Sequence, residues 1–161
     1  MSLSKKETVL ISFIVLAVLV RLLPHPPNVA PITAVALFAG THFGRKHWAL
    51  LMPLLAMVVT DIFLGFSMIT PIVYLAFTAI TALGFVIKKM HLGSVLLSSL
   101  LFFIVTNLGV WFLYYPLTPE GFTTCFTLAI PFFGYSILGD LFFSAALLFG
   151  YRYAAKRLQL A

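Results

Sequence analysis

The chain has 161 residues, of which 62% are hydrophobic and only 9% are charged, and its formal net charge is +6. A soluble domain usually has about a quarter of its residues charged, so this sequence has too few polar side chains to cover a globule in water. The composition therefore excludes an ordinary soluble domain and predicts an integral membrane protein. We interpret residues 1–161 as a single all-α transmembrane domain.

Apolar segments bounded by charges, proline or glycine predict six transmembrane helices. In chain order, their expected ranges are 7–23, 31–43, 47–65, 70–87, 93–115 and 128–154. The second segment would be only about 20 Å long, whereas the hydrocarbon core of a bilayer is about 30 Å thick. It is therefore expected either to pack inside the bundle or to span the membrane only partly. Residues 116–127 are expected to form an outer loop.

The positions of the basic residues predict the topology. Six crossings place nine of the ten basic residues on one side, which the positive-inside rule makes cytoplasmic. These nine residues are Lys5, Lys6, Arg45, Lys46, Lys88, Lys89, Arg152, Lys156 and Arg157. Five or seven crossings would scatter them over both faces. We therefore expect both termini in the cytoplasm, and we attribute the positive charge to topology rather than to nucleic-acid binding.

Four polar residues lie within the predicted helices or at their outer ends. Arg21 ends helix 1, Asp61 is near the outer end of helix 3, Asn107 is two turns below the outer end of helix 5, and Asp140 is near the middle of helix 6. A charge inside a membrane costs roughly 2.5–3.5 kcal/mol even on insertion scales, so it needs a partner or a function. Arg21 could pair with either aspartate and simply lock helices together. For the group as a whole, we favour a ligand pocket, and for Asp140 alone a structural role.

Helical spacing aligns these residues with other polar side chains. One stripe is Asn107, Trp111 and Tyr114/Tyr115 on helix 5, and a second is Ser136, Asp140 and Ser144 on helix 6. Both stripes should face the bundle interior, because lipid cannot satisfy hydroxyl, amide or carboxylate groups. In such a pocket Asn107 would supply hydrogen bonds and Trp111 would stack on a ring.

The segment RLLPHPPNVAPI, residues 21–32, contains four prolines and forms the predicted outer connection between helices 1 and 2. Proline stops helix propagation and stiffens the chain. Since non-helical backbone at membrane depth must be buried or line a cavity, we expect His25 and Asn28 to face that cavity. The alternative is a plain connector with Pro31 in the first turn of helix 2. Glu120 of the last outer loop completes the candidate substrate-binding residues: Arg21, His25, Asn28, Asp61, Asn107, Trp111, Glu120 and Asp140.

Neither a metal, a cofactor nor an enzymatic reaction is expected. The histidines and the single cysteine, Cys125, have no ligand-like spacing. The sequence has no Gly-rich phosphate loop, nucleophile elbow or HExxH motif, and Asp61 and Asp140 are predicted at different depths. Any dependence on ATP would have to come from another chain.

Several segments resemble a family of small bacterial membrane proteins of unassigned function that are regarded as transport proteins. These segments are RLLPHPPN, APITAVALFAG, TDIFLGF, LLFFIVTNLGVW, CFTLAIPFF and LGDLFF, and the likeness extends over about residues 10–150. That family in turn resembles the substrate-binding S components of energy-coupling-factor transporters, in its size, its six helices and its N-in/C-in topology.

The resemblance implies a bundle that captures a vitamin or other micronutrient near the outer face, under the loop between helices 1 and 2. It also implies association with a transmembrane coupling subunit and two ATPases. One feature departs from the S-component pattern. The Ala-x3-Ala docking motif common in helix 1 is missing from VLISFIVLAVLVRLL, and the nearest match is Ala30–Ala34. A solitary transporter is therefore an alternative.

We therefore expect a transport protein of the bacterial inner membrane that binds a small, partly aromatic or planar solute from the outer side. Its expected partners are that solute, the lipid bilayer and a coupling subunit with ATPases. The alternative is a structural or assembly subunit that binds no solute. In that case a face of small residues, Ala146, Gly150 and Ala154, would contact the partner. The similar pair Ala36 and Gly40 also indicates either close internal packing or docking.

Overall fold

The computed structural model describes residues 4–24 and 29–159, which form six α-helices. The helices are α1 (Lys5–Arg21), α2 (Ile32–His42), α3 (Lys46–Leu64), α4 (Thr70–Ile87), α5 (Leu92–Tyr114) and α6 (Pro119–Arg157). Four of them, α3 to α6, are long and apolar enough to cross a membrane. The predicted all-helical class is confirmed, and the first five helices lie within two residues of their predicted bounds.

The short helix α2 forms the centre of the bundle. Every residue from 31 to 40 is buried, and α2 packs against each of the other five helices. With 11 residues it is about 16 Å long. Of the two possibilities that its sequence left open, the structure supports a helix packed inside the bundle. Residues 32–40 are apolar except for Thr33, which suits this position because every side of that stretch is covered by other helices.

Small residues allow α2 and α4 to approach closely. A Cβ atom added at Gly84 would lie 2.8 Å from the Cα atom of Gly40, and one added at Gly40 would overlap the carbonyl oxygen of Thr81. On α6, a Cβ atom added at Gly150 would lie 2.7 Å from the ring of Phe13 in α1. Gly40 and Gly150 therefore allow close contacts between helices inside the bundle. Of the two interpretations of the small-residue patterns, internal packing or docking of a partner, these contacts support internal packing.

Helix α6 begins nine residues earlier than predicted, so most of the expected outer loop 116–127 is helical. Thr118 is its N-cap and accepts a hydrogen bond from the backbone N–H of Gly121 at 3.2 Å. Pro119 follows in the first turn, where its missing N–H costs nothing, and Glu120 suits the positive end of the helix dipole. The prediction of a loop was wrong because this Thr-Pro-Glu start signal outweighs the polar composition. The helix has 39 residues and is about 58 Å long.

The nine predicted cytoplasmic cations lie at helix ends that meet at one end of the bundle, here called the basic end. Arg45 forms a 3.4 Å salt bridge with Glu7, which also caps the start of α1 together with Ser4. Lys46 lies 5.6 Å from the ring centre of Phe85, near the end of α4. The rings of His42 and Tyr151 are 5.1 Å apart, which brings the C-terminal part of α6 to the same end.

Candidate functional site

Arg21 is held in a polar cluster at the end of the bundle opposite the basic end. Its guanidinium donates a hydrogen bond to Asp61 Oδ1 at 2.7 Å and another to the hydroxyl of Thr60. The hydroxyl of Tyr74 donates to Asp61 Oδ2 at 2.8 Å. Only 15% of the Arg21 side chain and 6% of the Asp61 side chain are exposed. This Arg21 cluster joins the end of α1 to α3 and α4, and it identifies Asp61, not Asp140, as the partner of Arg21.

Asp140 is a second buried carboxyl group, and it has no cationic partner among residues 4–24 and 29–159. Its residue is 3% exposed, and the hydroxyl of Ser99 donates a hydrogen bond to Oδ2 at 2.7 Å. Within those ranges the salt bridges are Arg21–Asp61 and Arg45–Glu7. The hydrogen bond from Ser99 fixes one carboxyl oxygen but supplies no opposite charge. The predicted inward orientation of Asp140 is confirmed.

A cavity of about 120 Å³, here called the Asp140 cavity, lies between the Arg21 cluster and Asp140. Arg21 and Asp140 both line it, although α1 and α6 are far apart in the sequence. The other lining residues combine apolar side chains with two hydroxyl groups: Ala30, Ile32, Thr33, Met57, Val73, Phe77, Phe102 and Ser136. Buried ionisable side chains usually form ion pairs within a tightly packed core. Ionisable side chains that line an open cavity are instead typical of a binding site.

A second cavity, here called the aromatic cavity, has a volume of about 260 Å³ and lies between α4, α5 and α6. Its walls contain four phenylalanines and few polar groups: Phe102, Phe103, Phe132 and Phe133, with Thr106, Asn107 and Ser136. The Nδ2 group of Asn107 donates to the backbone oxygen of Phe103 at 2.7 Å. Ile69, from the connection between α3 and α4, also lines the cavity and places it toward the Arg21 end.

The two cavities adjoin, because Val73, Phe102 and Ser136 line both of them. Pockets for drug-sized ligands are usually about 300–1,000 Å³, so each cavity alone is small for such a molecule. A solute of vitamin size would need to occupy both cavities. The arrangement then offers a flat aromatic wall at one end and charged groups at the other.

Other candidate residues lie elsewhere. Trp111 lines neither cavity: its indole N–H donates to the backbone oxygen of Pro116 at 3.0 Å, and its ring packs edge-on against Phe122. Glu120 is exposed in the first turn of α6, away from both cavities. Tyr114 is 57% exposed, so the predicted inward stripe does not continue to it. His25 and Asn28 lie outside the described residues.

Sequence reasoning missed several side chains that complete the site. Ser99 and Tyr74 bind the two aspartates, and Thr33 lines the Asp140 cavity. A hydroxyl in an apolar span is a usable signal, because such groups seek partners inside the bundle. The partner itself gives no local signal, since Ser99 and Asp140 are separated by 41 positions along the chain. The described residues contain no group of three or more His, Cys, Asp or Glu side chains placed to hold a metal ion.

The fold is all-helical, four of its helices are long and apolar enough to cross a bilayer, and its surface is rich in exposed Leu, Val, Ile and Phe side chains, a combination consistent with a helical membrane protein. The chain belongs to a family of unknown function, DUF6580, whose family model matches residues 1–161. Neither the curated proteins nor the solved structures contain a significant match to it. The family description names no ligand.

Proposed function

We propose that this protein is a membrane transport protein that captures a small solute in the two adjoining cavities for uptake, in the manner of an S component. The observation that carries the proposal is that Arg21 and Asp140, both ionisable and largely buried, line a cavity that shares Val73, Phe102 and Ser136 with the aromatic cavity. Charges within a membrane bundle are costly and mark ligand or ion pathways. A role in packing alone would not require open space between them.

The walls indicate how the solute would be held. Phe102 and Phe103 present aromatic surface to a flat, partly aromatic solute. Asn107 donates one N–H of its Nδ2 group to the backbone oxygen of Phe103, so its second N–H and its side-chain oxygen would remain to bond to the solute. Arg21 is fixed in place by Asp61 and Thr60, so it would meet the solute without losing much side-chain freedom.

The rival function, a structural or assembly subunit, finds less support in the packing. It requires a free face of small residues on α6 for a partner, but Gly150 in that face already contacts Phe13 of α1.

The remaining partners of the proposed transporter are the lipid bilayer and a source of energy. By resemblance, that source is a transmembrane coupling subunit with ATPases, unless the protein acts alone.

Six crossings of a bacterial inner membrane, with both termini in the cytoplasm, form part of the proposal. In a Cys125→Ala background, Glu120→Cys should react with a membrane-impermeant maleimide added to spheroplasts. Lys89→Cys should react only after permeabilisation. Both substituted residues are exposed, Lys89 lies at the basic end, and Cys125 is buried. Labelling of both positions from the outside, or the reverse pattern, would contradict the proposed topology.

The proposed solute capture predicts that Asn107→Ala reduces binding. Protein purified from its own host in mild detergent should retain a small molecule that native mass spectrometry detects as an added mass. In the alanine variant the fraction of protein with bound solute should fall about tenfold or more, because the substitution removes a side-chain amide that lines the aromatic cavity.

Glu120→Gln provides a matched control, because Glu120 is a predicted site residue that lies on the exposed surface. We expect this variant to retain the solute as the native protein does, and both variants to elute as single symmetric peaks. Absence of any retained solute from the native protein, or equal retention by Asn107→Ala, would count against solute capture.

A further inference from the structure

Among the described residues, the charges around the Asp140 cavity do not balance. Arg21 and Asp61 neutralise each other through the 2.7 Å salt bridge, and the guanidinium also bonds to Thr60. Asp140 lies on the wall of the same cavity, and no salt bridge reaches it within residues 4–24 and 29–159. When all three are ionised, Arg21, Asp61 and Asp140 together carry a net charge of about −1, which no other described residue compensates. Burial makes such a charge unfavourable until a cation approaches it.

Neutral groups orient this carboxyl without cancelling its charge. Ser99 donates a 2.7 Å hydrogen bond to it, and the hydroxyl-bearing Thr33, 6% exposed, lines the same cavity. Hydroxyl donors hold a carboxylate in a fixed direction, and a fixed carboxylate is a good acceptor for a charged N–H group. The open volume beside Asp140 is therefore where a cation would have to sit.

The apolar wall of this cavity also suits a cation. Phe77 and Phe102 both line it, and their rings stack with centres 5.0 Å apart. The faces of aromatic rings attract positive charge, most strongly where water is excluded. A flat cation could therefore contact the phenylalanine rings while its N–H groups reach Asp140.

We infer that the solute carries a positively charged nitrogen on or next to a flat ring, such as an amidinium, ammonium or protonated heteroaromatic group, and that Asp140 binds this nitrogen. This inference rests on the proposed function, and it specifies that the solute of that function is positively charged. The ring system extends past Phe102 into the aromatic cavity. The cation supplies the partner that Asp140 lacks among the described residues.

Binding of three matched probes tests this inference. Benzamidinium, benzamide and benzoate have nearly the same shape but carry a positive, zero and negative charge. Titrated calorimetrically into the full-length protein in mild detergent, benzamidinium should bind about tenfold or more tightly than either of the others. A carboxyl that held its own proton would instead bind benzamide as well as benzamidinium, and that result would overturn the inference.

Asp140→Asn should remove the preference for benzamidinium, and Ser99→Ala should weaken it while leaving the carboxylate in place. Glu120→Gln, which removes an exposed carboxylate, should change nothing. A preference that survived in folded Asp140→Asn protein, or no benzamidinium binding by the native protein, would overturn the inference. If the solute retained by the native protein proved neutral or anionic, this inference would be overturned, but the proposal of solute capture would stand. If the native protein retained no solute at all, solute capture itself would be refuted.

Discussion

Replacing Gly40 with alanine is expected to destabilise the folded bundle severely, by about 3 kcal/mol or more. The added methyl group would overlap the carbonyl oxygen of Thr81, and the Cα atom of Gly84 lies only 3.0 Å from the same position. Both obstacles are backbone atoms, so no side-chain rotation can relieve the overlap. Overpacking a close-packed core usually costs about 1–3 kcal/mol, and forcing two helix backbones apart should reach or exceed the top of that range.

The effect should spread beyond the substituted residue, because α2 contacts all five other helices. Moving α4 away from α2 would disturb Val73 and Phe77, which line the cavities. The free energy of unfolding, measured by titrating SDS into mixed micelles, should therefore fall together with solute retention. The change in unfolding free energy is the primary measurement.

Gly134→Ala is the matched control. Gly134 lies within α6, and a Cβ atom added there would meet nothing within 4 Å. Because alanine favours a helix over glycine by roughly 0.5–1 kcal/mol, this variant should be as stable as the native protein or slightly more stable. If Gly40→Ala matched Gly134→Ala in stability, the close approach of α2 and α4 would be wrong.

The helices could be predicted largely because their signals are local. The bounds of α4 agree with the prediction, since Pro71 marks the start of an apolar run that continues to the two lysines at 88–89. Helix α6 was misjudged for an equally local reason. The polar residues after Pro116 suggested a loop, although Thr118, Pro119 and Glu120 form a recognisable helix start.

The candidate site was less predictable, because its contacts join distant parts of the chain. The cost of burying charge pointed to Arg21, Asp61 and Asp140, but it did not determine which aspartate pairs with Arg21. That choice depends on how α1 packs against α3. Likewise, nothing near Gly84 reveals that Gly40 is its neighbour, and helical spacing alone could not show that Trp111 turns away toward Pro116.

Removing the guanidinium of Arg21 is the other change expected to have a large effect. In Arg21→Met, Asp61 would keep its hydrogen bond from Tyr74 but lose the only positive charge that pairs with it among residues 4–24 and 29–159. Breaking a buried ion pair from one side typically costs about 3–5 kcal/mol, because the remaining charge stays buried without compensation. We expect a loss of that size in the free energy of unfolding, again measured in SDS mixed micelles.

Two further variants separate this mechanism from a simple loss of packing. Arg45→Met breaks the Glu7 salt bridge at the basic end, where the Arg45 side chain is 42% exposed, and it should have only a small effect. The double variant Arg21→Met with Asp61→Asn removes the stranded charge but keeps an acceptor for Tyr74. It should therefore be more stable than Arg21→Met alone. If the double variant were no more stable than Arg21→Met, the uncompensated carboxylate would not be the cause, and Arg21 would act through its packing.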